Sequence, residues 1–335
     1  MKAIVHIGLP KAGSTTIQSF LHANAPALAA QGFAYRRQNA GDVCQREYLS
    51  VIFRDTGLRF ADPLQNLAAG TPDAAATTAR ALAFERWLDG ALARASGDTW
   101  LISNEFLSAR FLGEAGSRAF HDWASARFDG VRYVLYLRRQ DDWLASYYSQ
   151  CLRDGLSESF DACAARVPAR DYDALVALWE RVAGADALEV RLLERGALAG
   201  GDLVADYCAA TGIDATGLSR PPARNLSLSR RSARALRGWN ALLGRALPRH
   251  TTASRAARKA ARLVLDTPLF AGPSLGLAPE ARAAYMAPVA ASNDTLRARR
   301  FPGRATLFEE RDRAAPGGAR AARAARPALE TSGDA

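Results

Sequence analysis

The chain has 335 residues, 44 of them Lys or Arg against 34 Asp or Glu, and 49% are apolar. An apolar share that high excludes a disordered polymer, and the length allows one large α/β domain or two ordinary ones. Four scattered cysteines (Cys44, Cys151, Cys163, Cys208), with no Cys-x-x-Cys pair and no histidine at ligand spacing, exclude a disulfide framework and a zinc module.

Lys2 to Ile7 reads as a strand that Gly8-Leu9-Pro10-Lys11-Ala12-Gly13 breaks. Ser14 or Thr15 can then cap a helix whose Ile17, Phe20, Leu21 and Asn24 share one face. The polar stretch from about Ala40 to Thr77 is expected to be irregular. Phe84, Trp87, Leu88 and Ala91 mark the next helix, and Thr99 to Ser103 a second strand. Val131 to Leu137 is apolar on both faces apart from Arg132, as a parallel strand covered by helices should be. A helix follows from about Asp141, a strand at Leu188 to Leu192, and a helix from Gly201 to Thr211 that ends at Gly212.

Strands alternating with helices predict right-handed βαβ units and a doubly wound parallel sheet flanked by helices. Residues 1–312 are expected to form a single α/β domain whose C-terminal portion, about 222–312, is helical. Residues 313–335, rich in Ala, Arg, Gly and Pro, read as a disordered tail. No run of about 18 apolar residues spans a membrane, and Ala3 to Pro10 is too short for a signal peptide, so a cytoplasmic location is the expectation.

Ligands of an open parallel sheet sit outside the carboxyl ends of its strands. Three such ends here carry polar groups. After the first strand, glycines let successive backbone N–H groups turn inward, the Ser14, Thr15 and Thr16 hydroxyls supplement them, and Lys11 adds a mobile cation; together they make an anion cradle. A Walker A loop would place its lysine directly after the second glycine, where this chain has Ser14. Lys11 instead occupies the apex of the loop. After the strand ending at Leu137, Arg138 offers a planar fork for phosphate, and Ser146 lies eight residues on. An ion pair of Arg138 with Asp141 or Asp142 is the plainer alternative. After the strand ending at Ser103, Glu105 is either a helix-capping group or a general base.

Between Ala215 and Leu265 the chain holds twelve Lys or Arg and no Asp or Glu. The segment from Arg220 to Arg262 is either a set of solvated helix faces or a surface for an anionic ligand, polymer or membrane. His6 reads as a core residue, and His22, His121 and His250 as surface residues.

Taken in order, Pro10-Lys11-Ala12-Gly13-Ser14-Thr15 and the Arg138/Ser146 pair resemble the 5′-phosphosulfate loop and 3′-phosphate site of sulfotransferases that use 3′-phosphoadenosine 5′-phosphosulfate (PAPS). His6 to Lys11, Leu137 to Asp142, Asn225 to Ser229, Ser292-Asn293 and Phe301-Pro302 are similar to bacterial members, so the resemblance covers roughly Met1 to Phe308. It implies a P-loop-like fold and a PAPS co-substrate held by Lys11, Ala12, Gly13, Ser14, Thr15, Thr16, Arg138 and Ser146. It also implies catalysis by Lys11 and Glu105, no metal, and no nucleic-acid partner. A carboxylate base is what carbohydrate-directed members use, which implies a hydroxyl acceptor on a glycan, glycolipid or lipid-linked sugar. Peripheral membrane contact through residues 220–262 is a further expectation.

Two departures stand out. Thr16 occupies a position where cytosolic members carry an aromatic residue. The Arg-Lys-Gly loop that completes their 3′-phosphate site has no clear copy, which leaves Arg224, Arg299 and Arg300 as candidates. Two other functions stay open on the residues alone: a P-loop kinase or NTPase, and a non-enzymatic polyanion-binding protein built on the basic segment.

Overall fold

The computed structural model describes residues 1–39, 44–109, 111–220, 227–246, 251–265, 267, 270 and 272–309. Arg224, Asn225, His250 and the expected tail at 313–335 lie outside the described residues.

The strands are β1 (Lys2–His6), β2 (Phe33–Ala34), β3 (Thr99–Ser103), β4 (Val131–Leu137) and β5 (Leu188–Leu192). The helices before β4 are α1 (Ser14–Ala23), α2 (Ala25–Ala30), α3 (Tyr48–Thr56), α4 (Pro63–Ala68), α5 (Ala74–Ala93) and α6 (Gly113–Ser125). After β4 come α7 (Gln140–Arg153), α8 (Phe160–Arg166), α9 (Tyr172–Ala183) and α10 (Leu203–Thr211). The C-terminal portion adds α11 (Arg230–Ala246), α12 (Thr252–Leu265), α13 (Pro279–Met286) and α14 (Ala290–Arg300).

All five strands are parallel in the order β2-β3-β1-β4-β5. The doubly wound α/β architecture expected from the sequence is therefore present. Tyr133 to Leu137 of β4 are fully buried, because helices cover both faces of the central strands. On one group of helices, α3 packs against α5 and α6, and α6 against α9; elsewhere α1 packs against α10. Tyr48 on α3 donates its ring to an aromatic cluster with Phe84, Phe120 and Trp123, and its hydroxyl accepts from Trp100 Nε1 at 3.0 Å. Among the described residues no helix is long and apolar enough to cross a membrane.

The region expected to be irregular, Ala40 to Thr77, contains α3 and α4. Tyr48, Leu49, Val51, Ile52 and Phe53 are all buried, so tertiary packing on α5 and α6 rather than local propensity makes α3 a helix. Gly57, at φ 72°, ends it. The two-residue β2 had no legible sequence signal.

His6 is a core residue, as read. Its Nδ1 lies 2.8 Å from Ser103 Oγ, its ring meets Tyr136 and Tyr207 edge-on, and burial lowers its pKa to about 3. His22 is exposed, whereas His121 is half-buried with Nδ1 2.8 Å from the Tyr133 hydroxyl.

Asp206 ties α10 to the sheet. Fully buried, it accepts from the Tyr136 hydroxyl at 2.7 Å, from Arg191 Nε at 2.6 Å, from Arg191 Nη2, and from the Ala199 N–H at 2.9 Å. Burial alone would raise its pKa, but the bonds from Arg191, Ala199 and Tyr136 outweigh it and hold the carboxyl below its ordinary value. A depressed folded-state pKa stabilises the fold above the unfolded pKa and loses that contribution as pH falls. Asp206→Asn should therefore cost about 3 kcal/mol at neutral pH. Urea unfolding followed at decreasing pH should show the difference from wild type shrinking below about pH 4.

Candidate functional site

In this strand order, the chain leaves β1 for β2 and β3 on one side, then crosses to β4 and β5 on the other. The reversal lies at the carboxyl end of β1, where an open α/β sheet forms its crevice. Residues 7–13 join β1 to α1 there. Lys11 follows β1, Glu105 follows β3 and Arg138 follows β4, so the three project from the carboxyl ends of three adjacent strands.

The loop is held in an unusual shape. Gly8, Lys11 and Gly13 all have positive φ, at 61°, 67° and 89°. For glycine this is unstrained, but for Lys11 the left-handed region costs on the order of 1 kcal/mol and needs support from its surroundings. That support is present on every side. Arg138 Nη1 donates to the Lys11 carbonyl at 2.9 Å, and Trp143 Nε1 to the Pro10 carbonyl at 2.8 Å. The Ala12 N–H and the Ser14 hydroxyl both donate to the Leu9 carbonyl, at 2.9 and 3.2 Å. The Ser108 hydroxyl donates to the Gly8 carbonyl at 2.5 Å.

Close approach to backbone requires glycine at Gly8, and the positive φ favours it at Gly13. A Cβ on Gly8 would lie 2.8 Å from the Glu105 Cα, and one on Gly13 would lie 2.3 Å from Leu203 Cδ2. The first contact sets Glu105 directly against the loop. Gly13 is the N-cap of α1 and supplies no side-chain cap. The Thr16 and Ile17 N–H groups bond back to the Gly13 carbonyl, whereas the N–H groups of Gly13, Ser14 and Thr15 have no acceptor among the described residues. Those donors, with the helix dipole behind them, suit an anion. Ser14 is buried and spends its hydroxyl on the loop; Thr15 and Thr16 are half-buried.

Lys11 is half-buried and donates from Nζ to Gln150 Oε1 at 3.3 Å. Burial lowers its pKa, Glu105 pushes it back up, and Arg153 lowers it again, with the net shift downward. Glu105 is half-buried too, with Oε1 3.6 Å from Cys44 Sγ. Its neighbour Asn104 is fully buried and fixed by bonds to the Gln45 carbonyl and from the Phe106 N–H, so the strand end that carries Glu105 is rigid.

The helix α7 lines the other side. Trp143, Ser146, Gln150 and Arg153 recur at helical spacing along it; Trp143 grips Pro10 and Gln150 grips Lys11. Ser146 is 6% exposed on this stretch. Sequence reading missed Trp143, Gln150 and Ser108, although the i, i+7 spacing of Trp143 and Gln150 was a usable signal.

Of the two carboxylates weighed for Arg138, Asp141 is bonded by the neighbouring arginine. Arg139 bonds Asp141 through Nε at 2.7 Å and Nη2 at 2.8 Å, and Arg282 approaches the same buried carboxylate at 3.3 Å. Gln140 donates to Asn293 at 2.8 Å, which ties the segment after β4 to α14. Arg299 and Arg300 do not complete a 3′-phosphate site. They pair with Asp173 and Glu180 on α9, and Arg300 also bonds the Ala185 carbonyl before β5, at the opposite end of the sheet. Arg224 lies outside the described residues.

Comparison with protein-family models, curated proteins and solved structures finds no match.

The geometry makes Lys11 a reporter of its neighbours. Glu105→Gln removes the charge that raises the Lys11 pKa and should lower it further, whereas Arg153→Gln should raise it. Amine-modification rates at Lys11, measured across pH for the three proteins, check the order Glu105→Gln, wild type, Arg153→Gln from lowest to highest.

Proposed function

We propose that the chain is a sulfotransferase of P-loop-like fold that moves the sulfuryl group of PAPS to a hydroxyl of a carbohydrate or glycolipid acceptor. One observation carries this reading: Lys11, Glu105 and Arg138 stand on adjacent strand ends, with Lys11 presented from the loop apex and its carbonyl pinned by Arg138. A phosphate-binding lysine at the start of α1, as a kinase or NTPase loop needs, is absent from the sequence.

In this reading the N–H groups of Gly13, Ser14 and Thr15 hold the 5′-phosphate, and Arg138 with Ser146 the 3′-phosphate. PAPS supplies the sulfuryl group. Glu105 takes the proton from the acceptor hydroxyl as that oxygen bonds to sulfur. The sulfur–oxygen bond to the 5′-phosphate breaks, and its electron pair stays on the phosphate oxygen. Lys11, partly withdrawn from water, neutralises the charge growing on that oxygen. The products are a sulfate ester and adenosine 3′,5′-bisphosphate, with the proton on Glu105. Positioning and charge neutralisation supply most of the rate, as in phosphoryl transfer.

The test is transfer of labelled sulfate from PAPS to fractionated cell-envelope glycans with EDTA present, beside ATP turnover with Mg²⁺. Sulfate transfer without ATP turnover is expected; the reverse result identifies a P-loop kinase or NTPase. Lys11→Ala should cut kcat far more than affinity for adenosine 3′,5′-bisphosphate, because it meets charge that develops in the transition state. Glu105→Gln should bind PAPS normally and lose about 10²–10⁴-fold in rate.

Arg138 and Ser146 govern a separate outcome. Removing a contact to a charged group costs about 1.5–3 kcal/mol. Arg138→Ala should therefore weaken adenosine 3′,5′-bisphosphate by roughly ten- to a hundredfold while leaving AMP nearly unchanged. Ser146→Ala should act in the same direction with a smaller effect. Calorimetric titration with both nucleotides measures the selectivity, and an unchanged preference for the 3′-phosphate would move that subsite away from Arg138.

A further inference from the structure

Between Asp214 and Asp266 the chain carries twelve Lys or Arg and no carboxylate. Most of the described part of this segment is α11 and α12, which pack on each other, while α11 also packs on α7. The inner face of α11 buries Ser232, Ala233, Leu236 and Asn240, and Asn240 Nδ2 donates to the Leu152 and Leu156 carbonyls at 2.7 and 2.8 Å. Its outer face is different in kind. Arg234, Gly238, Leu242 and Arg245 follow one another at helical spacing and are all exposed, with Trp239 beside them. Leu242 is 60% exposed and Trp239 40%, so two of the few large apolar side chains left in water lie within one turn of each other. On α12, Lys259 is exposed as well, beside Ala256 and Ala260.

We infer that the outer face of α11, with the adjoining face of α12, docks on an anionic lipid bilayer. The charge supplies the attraction: Arg234, Arg245 and Lys259 meet lipid phosphates from helices that carry no carboxylate of their own. The apolar pair supplies the preference for a bilayer over a dissolved polyanion. Trp239 suits the headgroup level, and Leu242 gains only where an apolar phase lies beneath the charge. A helix face with this division of charged and apolar groups lies in the interface plane rather than across it. The inference is independent of the reaction proposed for the Lys11 loop and survives failure of any transfer assay. Its geometric consequence is that the docked face sits one helix away from Gln150, the partner of Lys11.

Sedimentation of the full chain with vesicles tests it. Vesicles of equal parts phosphatidylcholine and phosphatidylglycerol should capture the protein, pure phosphatidylcholine should not, and capture should fall as salt rises. Each basic residue near such a surface is worth about fivefold in affinity, so Arg234→Gln/Arg245→Gln should lose roughly 25-fold. Trp239→Ser/Leu242→Ser should lose about tenfold toward vesicles and nothing toward heparin in solution. All four positions are exposed, and unchanged thermal melting confirms that the variants fold. Equal capture by both vesicle types overturns the inference. So does heparin binding in the absence of vesicle capture, or vesicle capture that the Trp239/Leu242 variant retains in full; the first of these makes the face a polyanion site.

Discussion

The hydrogen bond from Arg138 Nη1 to the Lys11 carbonyl joins the carboxyl end of β4 to the apex of the loop after β1. It is one of several bonds that hold a lysine at φ 67°, away from the ordinary right-handed and extended regions. Trp143 and the Leu9 carbonyl reinforce the same shape from two further directions. The strain at Lys11 is thus over-determined, and a strained residue held by several independent bonds is the pattern expected of a site rather than of a connector. The same arrangement fixes what faces the apex: Gly8 admits the Glu105 backbone, and Gln150 reaches Lys11 from α7.

Only three residues of the chain are lysines, Lys2, Lys11 and Lys259, in a protein otherwise rich in arginine. Arginine at the apex would bring a wide planar fork, where lysine brings a compact point charge on a flexible stem. A point charge that follows a single developing oxyanion is the chemistry proposed for Lys11. In the proposed reaction arginine takes the complementary task at Arg138, whose planar fork also bonds the Lys11 carbonyl.

Much of this was legible because buried parallel strands read as apolar runs. Lys2 to His6, Thr99 to Ser103 and Val131 to Leu137 stand out for that reason, and their polar sequels Lys11, Glu105 and Arg138 follow directly. Three things were hidden. The α3 helix owes its existence to packing on α5 and α6, which no local pattern displays amid polar residues. Arg138 bonds a backbone carbonyl, a contact invisible to any search for opposite charges, while Asp141, one of the carboxylates weighed for it, is bonded by Arg139. Arg299 and Arg300 carried the right charge, but α14 packs on α9 and spends both on Asp173 and Glu180.

With so few lysines, footprinting by an amine-reactive reagent reads the loop almost alone. The account predicts that adenosine 3′,5′-bisphosphate, added without metal, protects Lys11 strongly and leaves Lys2 and Lys259 modified at their original rates. AMP should protect Lys11 far less. Equal modification of Lys11 with and without the bisphosphate would contradict the claim that the loop between β1 and α1 is where the anion binds.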